Sequence, residues 1–281
     1  MSPPKQLGAL SNDVCLAVYI LILTLQFCCA SVNGLILFFV ARSKPLRKNK
    51  YMRLAIFLTV GDFFLAIGEL PYIIYMTINW HHTEMDYDPM YIMVTAEPLP
   101  IQLKVSATIT VGIALSRNIA LFFPSIYRRM DQGDYSNAVL LVALLLAAFD
   151  VFLYWALTPI QHHLNCGTIG CFVSDDFRYY WGISNMLLGF MAVLLTISIF
   201  VKIKMVQSKS SDVSKQNSSR FTKANRTSTG ILMSSLLFLT FPSVLVGVVE
   251  LTGFSIFKLI GPFYSACLLA SGPFQFQTLP P

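Results

Sequence analysis

Charged side chains are scarce in this chain. They make up 12% of its 281 residues, against about a quarter in a typical soluble domain, while hydrophobic residues make up 55%. A water-soluble chain of this length could bury one core, but that core could not enclose so many apolar side chains. The scarcity of charge therefore excludes an ordinary soluble domain and indicates a protein embedded in lipid.

Motifs of the common enzyme classes are also missing. No GxSxG, HExxH or P-loop pattern occurs, and the acidic residues within apolar stretches do not form the aspartate pair of an intramembrane protease. The basic residues form no tract interleaved with aromatic residues, as nucleic-acid binding would require. We therefore expect neither an enzyme nor a nucleic-acid partner.

Seven apolar stretches are long enough to cross a membrane, which takes about 20 predominantly apolar residues. We predict spans at about 14–41, 52–79, 90–123, 138–159, 180–204, 228–252 and 258–275. The first apolar run is too long for a secretory signal and serves as its own signal anchor. The sequence thus predicts an all-α membrane protein with one seven-helix domain over residues 1–275. A flexible polar loop over 207–226 and a short end at 276–281 complete the organisation.

Lysine and arginine are concentrated on one side of this predicted bundle. Fifteen of the twenty basic residues fall in the first, third and fifth loops, which the positive-inside rule assigns to the cytoplasm. The opposite loops carry acidic residues such as Asp86 and Asp176. We therefore expect the N-terminus to lie outside the cell.

Two cysteines lie in a loop on the predicted outer side. Cys166 and Cys171 are separated by a Gly-containing segment, and the outer compartment is oxidising, so a disulfide is one interpretation. Free thiols are a second interpretation. A zinc site is a third, because His162 and His163 lie nearby.

Ionisable side chains inside spans are costly and usually face the bundle interior. Six occur here: Asp62, Glu69, Lys104, Arg117, Asp150 and Glu250. At about 1.5 Å of rise per residue, Asn33 and Asp62 lie at one level of the first two spans, somewhat above Arg117. These three residues form a predicted inner polar layer, for which a structural, switching or ion-binding role remains open.

A second layer lies nearer the outside. It comprises Glu69, Lys104 and Glu250, and Tyr72 lies one turn beyond Glu69. An interhelical salt bridge, snorkelling to the interface and direct ligand contact are the three interpretations of the charges. Tyr72 fits either an interfacial aromatic belt or a pocket. These four residues are the candidate ligand pocket.

The inner end of the third span resembles the signature of rhodopsin-like G-protein-coupled receptors. The matching residues are Ser116-Arg117-Asn118, Ala120, Pro124 and Tyr127. A closer resemblance is to nematode serpentine chemoreceptors, most of all class BC (Srbc). It is carried by NCGTIGC (165–171), FRYYW (177–181), ANRTSTG before the sixth span, FPSVLVG (241–247) and IGPFY (260–264).

This resemblance implies a receptor at the plasma membrane or cilium of a sensory neuron. It implies a small-molecule ligand in the outer half of the bundle and a heterotrimeric G protein at the inner face. The implied switch and inner polar layer is Asn33, Asp62, Arg117, Tyr127 and Pro242. The implied G-protein face includes Arg128, Arg129, Lys202 and Lys204. Membrane lipid and a second receptor copy are further partners to expect.

Several features depart from the family pattern. Ser116 replaces the acidic neighbour of Arg117, so another group must hold the arginine. No cysteine lies at the outer end of the third span, which favours the local Cys166–Cys171 pair. The last span lacks NPxxY and stops early, so we expect a truncated last helix. No cofactor is expected, because Lys258 lies at the edge of that span and cannot serve retinal. A seven-helix transporter and a non-signalling truncated paralogue remain the alternatives.

Overall fold

The computed structural model describes residues 12–83, 85–209, 233, 236–242, 244–245, 248, 265–266 and 269–270. Nine α-helices are bounded within this part: α1 (Asn12–Arg42), α2 (Lys44–Lys48), α3 (Arg53–Gly68), α4 (Leu70–Ile78), α5 (Pro89–Thr95), α6 (Pro98–Phe122), α7 (Pro124–Arg129), α8 (Gln132–Leu157) and α9 (Asp175–Lys209). Short 3₁₀ turns lie at Lys50–Met52 and Ile169–Cys171, and a π-helical turn lies at Leu236–Thr240.

Five stretches of the described residues are long and apolar enough to cross a membrane. They are Asp13–Arg42, Arg53–Ile78, Pro89–Phe122, Gln132–Leu157 and Asp175–Lys202. The predicted sixth and seventh spans, the loop over 207–226 and the end at 276–281 lie largely or wholly outside the described residues. The helical architecture agrees with the fold class predicted from the sequence.

Capping residues explain where two of the predicted spans begin, at the first residues of α5 and α8. Asp88 accepts hydrogen bonds from the backbone N–H groups of Met90 and Tyr91, and Pro89 occupies the first helical position. Asp131 caps α8 in the same way, through Gly133 and Asp134. The fourth span consequently begins at residue 132, six residues before the boundary expected from hydropathy alone.

Prolines divide the second and third spans. Pro71 lacks the N–H that would continue the ladder, and the second span is split between α3 and α4, with Glu69 at the joint. Pro98 likewise follows the end of α5 and starts α6. The joint between α3 and α4 therefore carries Glu69, whose side chain is completely buried.

Helix α6 occupies the centre of the described bundle and packs against α3, α8 and α9. In the membrane-length stretch that contains α6, 61% of the most apolar segment is buried, against at most 39% in the other four stretches. A Cβ at Gly112 would lie 2.6 Å from Val139, so only glycine permits this approach of α6 to α8. Large side chains such as Phe64 and Phe152 point outward, as lipid contact requires.

Candidate functional site

A buried ion pair joins three helices in the outer half of the bundle. The Lys104 Nζ atom on α6 lies 3.2 Å from Asp150 Oδ2 on α8 and donates to Ser184 Oγ on α9 over 2.7 Å. The Tyr180 hydroxyl donates to the other Asp150 oxygen over 2.9 Å. Both charged side chains are almost fully buried. Because each charge has a partner, this cluster fixes α6, α8 and α9 to one another.

Glu69 lies apart from that pair, at the joint between α3 and α4. Its side chain is completely buried, and its Oε1 accepts a 2.9 Å hydrogen bond from Ser265 Oγ. The Gln26 amide on α1 lies beside the carboxylate. The contact between Gln26 and Glu69 departs from ideal hydrogen-bond geometry, and neither the Gln26 amide nor Glu69 Oε2 has another partner within the described residues. The structure therefore does not bring Glu69 and Lys104 together as one site.

A short loop closed by the Cys166–Cys171 disulfide covers the first two helices of the bundle. The Tyr19 hydroxyl on α1 donates to the Gly167 carbonyl over 2.7 Å. The Tyr72 hydroxyl on α4 accepts from the Ile169 N–H over 3.1 Å. Tyr72 is thus a support for this loop in the structure.

The same loop is tied to its neighbours on two further sides. The Asn165 N–H donates to the Met85 carbonyl, and the Met85 N–H donates to Asn165 Oδ1. Asn165 has a φ of 57°, which asparagine tolerates better than most residues. Arg178 on α9 donates to the Gly170 carbonyl and pairs with Asp175. Residues 165–178 therefore form a strap across the outer end.

Zinc at this loop finds no support in the geometry. The two sulfur atoms are bonded to each other, and His162 pairs with Asp86 at 2.8 Å. Across the described ranges, no group of three potential ligands is arranged to hold a metal ion.

Tyr87 stabilises the loop between the second and third spans, because its hydroxyl donates to the Met76 carbonyl. Burial raises the pKa of Tyr87 to about 12, so this hydroxyl remains a donor at neutral pH.

An apolar cavity lies beneath the strap, between α6, α8 and α9. It is about 30 Å³, close to the volume of one water molecule. Its lining includes Leu99, Pro100, Tyr154, Val173, Phe177 and Trp181. A ligand larger than a few atoms could enter only if these aromatic side chains moved.

The predicted inner layer is connected through residues that hydropathy does not single out. Asn33 donates to the carbonyl and sulfur of Cys29, whose thiol lies 3.8 Å from the Asp62 carbonyl. The Asp62 carboxylate accepts from Gln102 on α6 over 2.9 Å. Gln102 also donates to Ser106. Asn33 and Asp62 are thus linked through Cys29 without direct contact, and Asp62 joins α3 to α6.

Arg117 is half-buried near the inner end of α6. Tyr127 on α7 lies close enough to interact with it electrostatically, and no carboxylate of the described residues lies within ion-pair distance. The next residue, Asn118, makes the stronger connection. Its amide donates to the Ala114 and Leu195 carbonyls at 2.9 Å and accepts from Ser198 Oγ. Asn118 therefore fastens α6 to α9 beside the arginine.

The inner end of the bundle presents exposed cations. Arg128, Arg129 and Lys204 are solvent-exposed, and the Lys202 ammonium lies 5.1 Å from the centroid of the Phe122 ring. A cavity of about 400 Å³ opens between the first and second inner loops, next to the 2.6 Å ion pair of Lys50 and Asp131.

Two further predicted site residues belong to the sixth span. Pro242 is half-buried, and Glu250 lies outside the described residues.

A family model described as "Serpentine type 7TM GPCR chemoreceptor Srbc" matches residues 12–271, nearly the whole chain. The chain belongs to this family. It is therefore a multi-pass membrane protein with the seven-helix fold of serpentine chemoreceptors, and the family is one of receptors rather than enzymes. No curated protein was found to match the chain.

Sequence reasoning missed three residues that organise this receptor. Asn118, Gln102 and Arg178 each connect two elements. Asn118 and Arg178 entered the sequence analysis only as parts of resembling motifs, and Gln102 was not named there. A signal existed for Gln102, which lies four residues before Ser106 in a span otherwise rich in small and apolar residues. The role of Asn118 in joining α6 to α9 depends on the position of the Leu195 carbonyl, which the sequence does not give.

Proposed function

We propose that this chain is a chemosensory receptor that binds a small molecule in its outer half and signals to a heterotrimeric G protein at its inner face. The division of polar groups between the two ends of the described bundle carries this proposal. In the outer half, charged groups are buried beneath the strap. At the inner end, cations are exposed to solvent. One end suits recognition of a small solute, and the other suits docking of a protein.

Exposed arginine and lysine support the inner face as a docking surface. Arg128, Arg129 and Lys204 present positive charge, and the cavity between the inner loops offers a recess beside them. Electrostatic complementarity raises association rates and fixes orientation, so an acidic partner surface is favoured. Membrane lipid headgroups on the cytoplasmic leaflet would meet the same charges.

The absence of an ion pair at Arg117 within the described residues supports a switching role. A side chain that no carboxylate holds can change partners at low cost when the inner ends of the helices separate. Ligand binding would then shift an existing equilibrium toward the state that engages the G protein. Asn118 is the group that such a change must release, because it fastens α6 to α9.

The test is expression of the full chain in cultured cells with a promiscuous G protein, followed by a calcium readout during exposure to a panel of small amines, alcohols and acids. We expect at least one ligand to give a concentration-dependent signal that Arg117→Ala alters, while Lys5→Ala near the N-terminus, on the predicted outer side, serves as a charge-matched comparison. Surface expression of each variant is measured in parallel. Uptake of a ligand with no G-protein signal would instead support a transporter.

Cellular placement is a separate part of the proposal. We expect a tagged full-length chain to reach the plasma membrane, and in sensory neurons the cilium. Fluorescence of a tag on the outer N-terminus in cells that have not been permeabilised would test both the location and the orientation. Retention of all the protein in internal membranes would contradict this part.

A further inference from the structure

The cavity at the inner end of the bundle lies where the first inner loop meets the start of α8. Its volume of about 400 Å³ falls within the range of sites that bind small molecules. Each inner loop contributes three consecutive residues to its lining, which are Lys48, Asn49 and Lys50 from the first and Met130, Asp131 and Gln132 from the second. Two lysines therefore face the first turn of a long helix across an open space.

Gln132 is a polar side chain buried in the wall of this cavity. It is only 8% exposed, and its amide nitrogen has no hydrogen-bond partner among the described residues. Buried polar atoms are nearly always paired, so this nitrogen needs an explanation. The amide nitrogen can only donate, and the terminal torsion of glutamine is broad, so the NH₂ group can turn toward an acceptor in the cavity.

The positive charges around the cavity outnumber its single carboxylate. Asp131 is already compensated, because one of its oxygens pairs with Lys50 at 2.6 Å and the other accepts the Gly133 N–H. Lys48 is exposed and forms no ion pair with any described carboxylate. Arg53 Nη1 lies 3.1 Å from the position that a Cβ on Gly133 would occupy, so a further cation borders the first turn of α8. The N-terminus of α8 adds partial positive charge.

The chemistry of these groups identifies the kind of ligand. Two ammonium groups and one amide NH₂ are donors, and together they favour a ligand that is strongly anionic and rich in acceptors. A phosphate monoester carries a charge of about −1.5 to −2 at pH 7 and three acceptor oxygens. A carboxylate or a phosphodiester carries a single negative charge, so either would gain less from the two lysines.

We propose that Lys48, Lys50 and Gln132 bind a phosphate monoester group in this cavity. This inference goes beyond the proposed signalling function and does not depend on it. Two sources share the chemistry: the headgroup of a phosphorylated inositol lipid and a soluble phosphate compound. Basic pockets on the cytoplasmic side of membrane proteins suit such headgroups, and Phe123 and Ile126, which are exposed on the same inner loop, favour the lipid.

The test measures thermal unfolding of the purified full chain in nanodiscs made of phosphatidylcholine. The probes are a short-chain bisphosphorylated phosphatidylinositol, its free inositol trisphosphate headgroup and sodium phosphate, each added at increasing concentration. Short-chain phosphatidylserine and sodium chloride at equal ionic strength serve as comparisons, because neither carries a phosphate monoester. We expect the phosphorylated lipid to raise the Tm. A shift with the lipid alone identifies the lipid as the source, and an equal shift with the free headgroup identifies a soluble phosphate.

Two variants of the lining should weaken this binding. Lys48→Gln should weaken it by about 5-fold, because it removes one cation near the phosphate. Gln132→Met keeps the size of the side chain and removes the NH₂ donor, so it should weaken binding by about 3- to 10-fold. Without ligand its Tm should not fall, since the amide nitrogen has no partner to lose. Lys44→Gln is the matched control, because Lys44 is exposed in the same loop and does not line the cavity.

Asp131→Asn should act in the opposite direction and tighten binding by about 3-fold or more. It removes the carboxylate that holds Lys50, while asparagine still caps α8. Equal losses from Lys44→Gln and Lys48→Gln, or an equal Tm shift with phosphatidylserine or sodium chloride, would overturn the site. Unchanged binding in both Lys48→Gln and Gln132→Met would overturn it too. No shift with any phosphate probe would do the same and leave the cavity to the docking of the G protein.

Discussion

The outer half of the bundle contains two buried charged sites that differ in how their charge is compensated. Between α6, α8 and α9, Lys104 and Asp150 neutralise one another, and Ser184 and Tyr180 complete their hydrogen bonds. Between α1 and the joint of α3 and α4, Glu69 has a hydroxyl donor and no cation within the described residues. The first arrangement is an ion pair that holds three helices together. The second is a carboxyl group surrounded by the neutral polar side chains of Ser265 and Gln26.

The largest effect should come from breaking the complete site. Lys104→Met leaves the Asp150 carboxylate buried without a cation, and removal of one partner of a buried pair typically costs about 3–5 kcal/mol. We expect a large fall in the Tm of the detergent-purified protein and a loss of surface expression.

Two further variants sharpen that test. The double variant Lys104→Met/Asp150→Leu removes both charges and should recover much of the lost stability, since apolar replacement of a buried pair is often near neutral. Glu69→Gln should change the free energy of unfolding by no more than about 1 kcal/mol, because no counter-charge is lost. A fall with Glu69→Gln as large as with Lys104→Met would contradict the distinction between the two sites.

An intermediate effect is expected where α6 meets α9 through a neutral group. Asn118→Ala removes the hydrogen bonds to the Ala114 and Leu195 carbonyls and should cost about 1–2 kcal/mol. Because the bond to α9 lies beside Arg117, basal calcium signalling should also rise if the inner ends separate on activation. Asn118→Asp, which cannot donate, should behave like Asn118→Ala, and wild-type stability in both variants would contradict this role.

The smallest effect should come from the exposed ion pair at the inner end. The Lys50 ammonium holds the pKa of the Asp131 carboxyl below its ordinary value of 3.8, and the N–H groups at the start of α8 act in the same direction. A carboxyl with a lowered pKa in the folded state stabilises the fold above its unfolded pKa and loses that contribution as the pH falls through the folded pKa.

Asp131→Asn tests whether this exposed ion pair contributes less to stability than the buried pair of Lys104 and Asp150. Its Tm should lie slightly below that of the wild type at pH 7, and the gap should close as the pH falls below about 3.8. Added salt should narrow the gap as well, because exposed charges are screened. A gap that persists at pH 3 in high salt would show that the loss comes from packing.

Hydropathy was sufficient to predict the helical membrane fold, because a spanning helix needs about 20 apolar residues. It could not predict which charges meet. Asp150 was expected to be buried, but its partner Lys104 lies 46 positions earlier on another helix. A single sequence gives the periodicity of each helix and says nothing of how neighbouring helices are rotated about their axes.

Hydropathy also placed the start of the fourth span too late. Hydropathy put the fourth span at residue 138, whereas the Asp131 cap begins the helix at residue 132 among polar residues. Local chemistry was more readily predicted in the outer loop. Cys166 and Cys171 are only five positions apart, so a bond between them needs no knowledge of helix packing.

The strap over residues 165–178 has a mechanical consequence. It is bonded to α1 through Tyr19, to α4 through Tyr72 and to α9 through Arg178, so three helices share one fastening at their outer ends. Helices that are joined at one end can separate only at the opposite end. Each helix then pivots at the strap, and a small change of angle there becomes a larger displacement at the opposite end of the bundle.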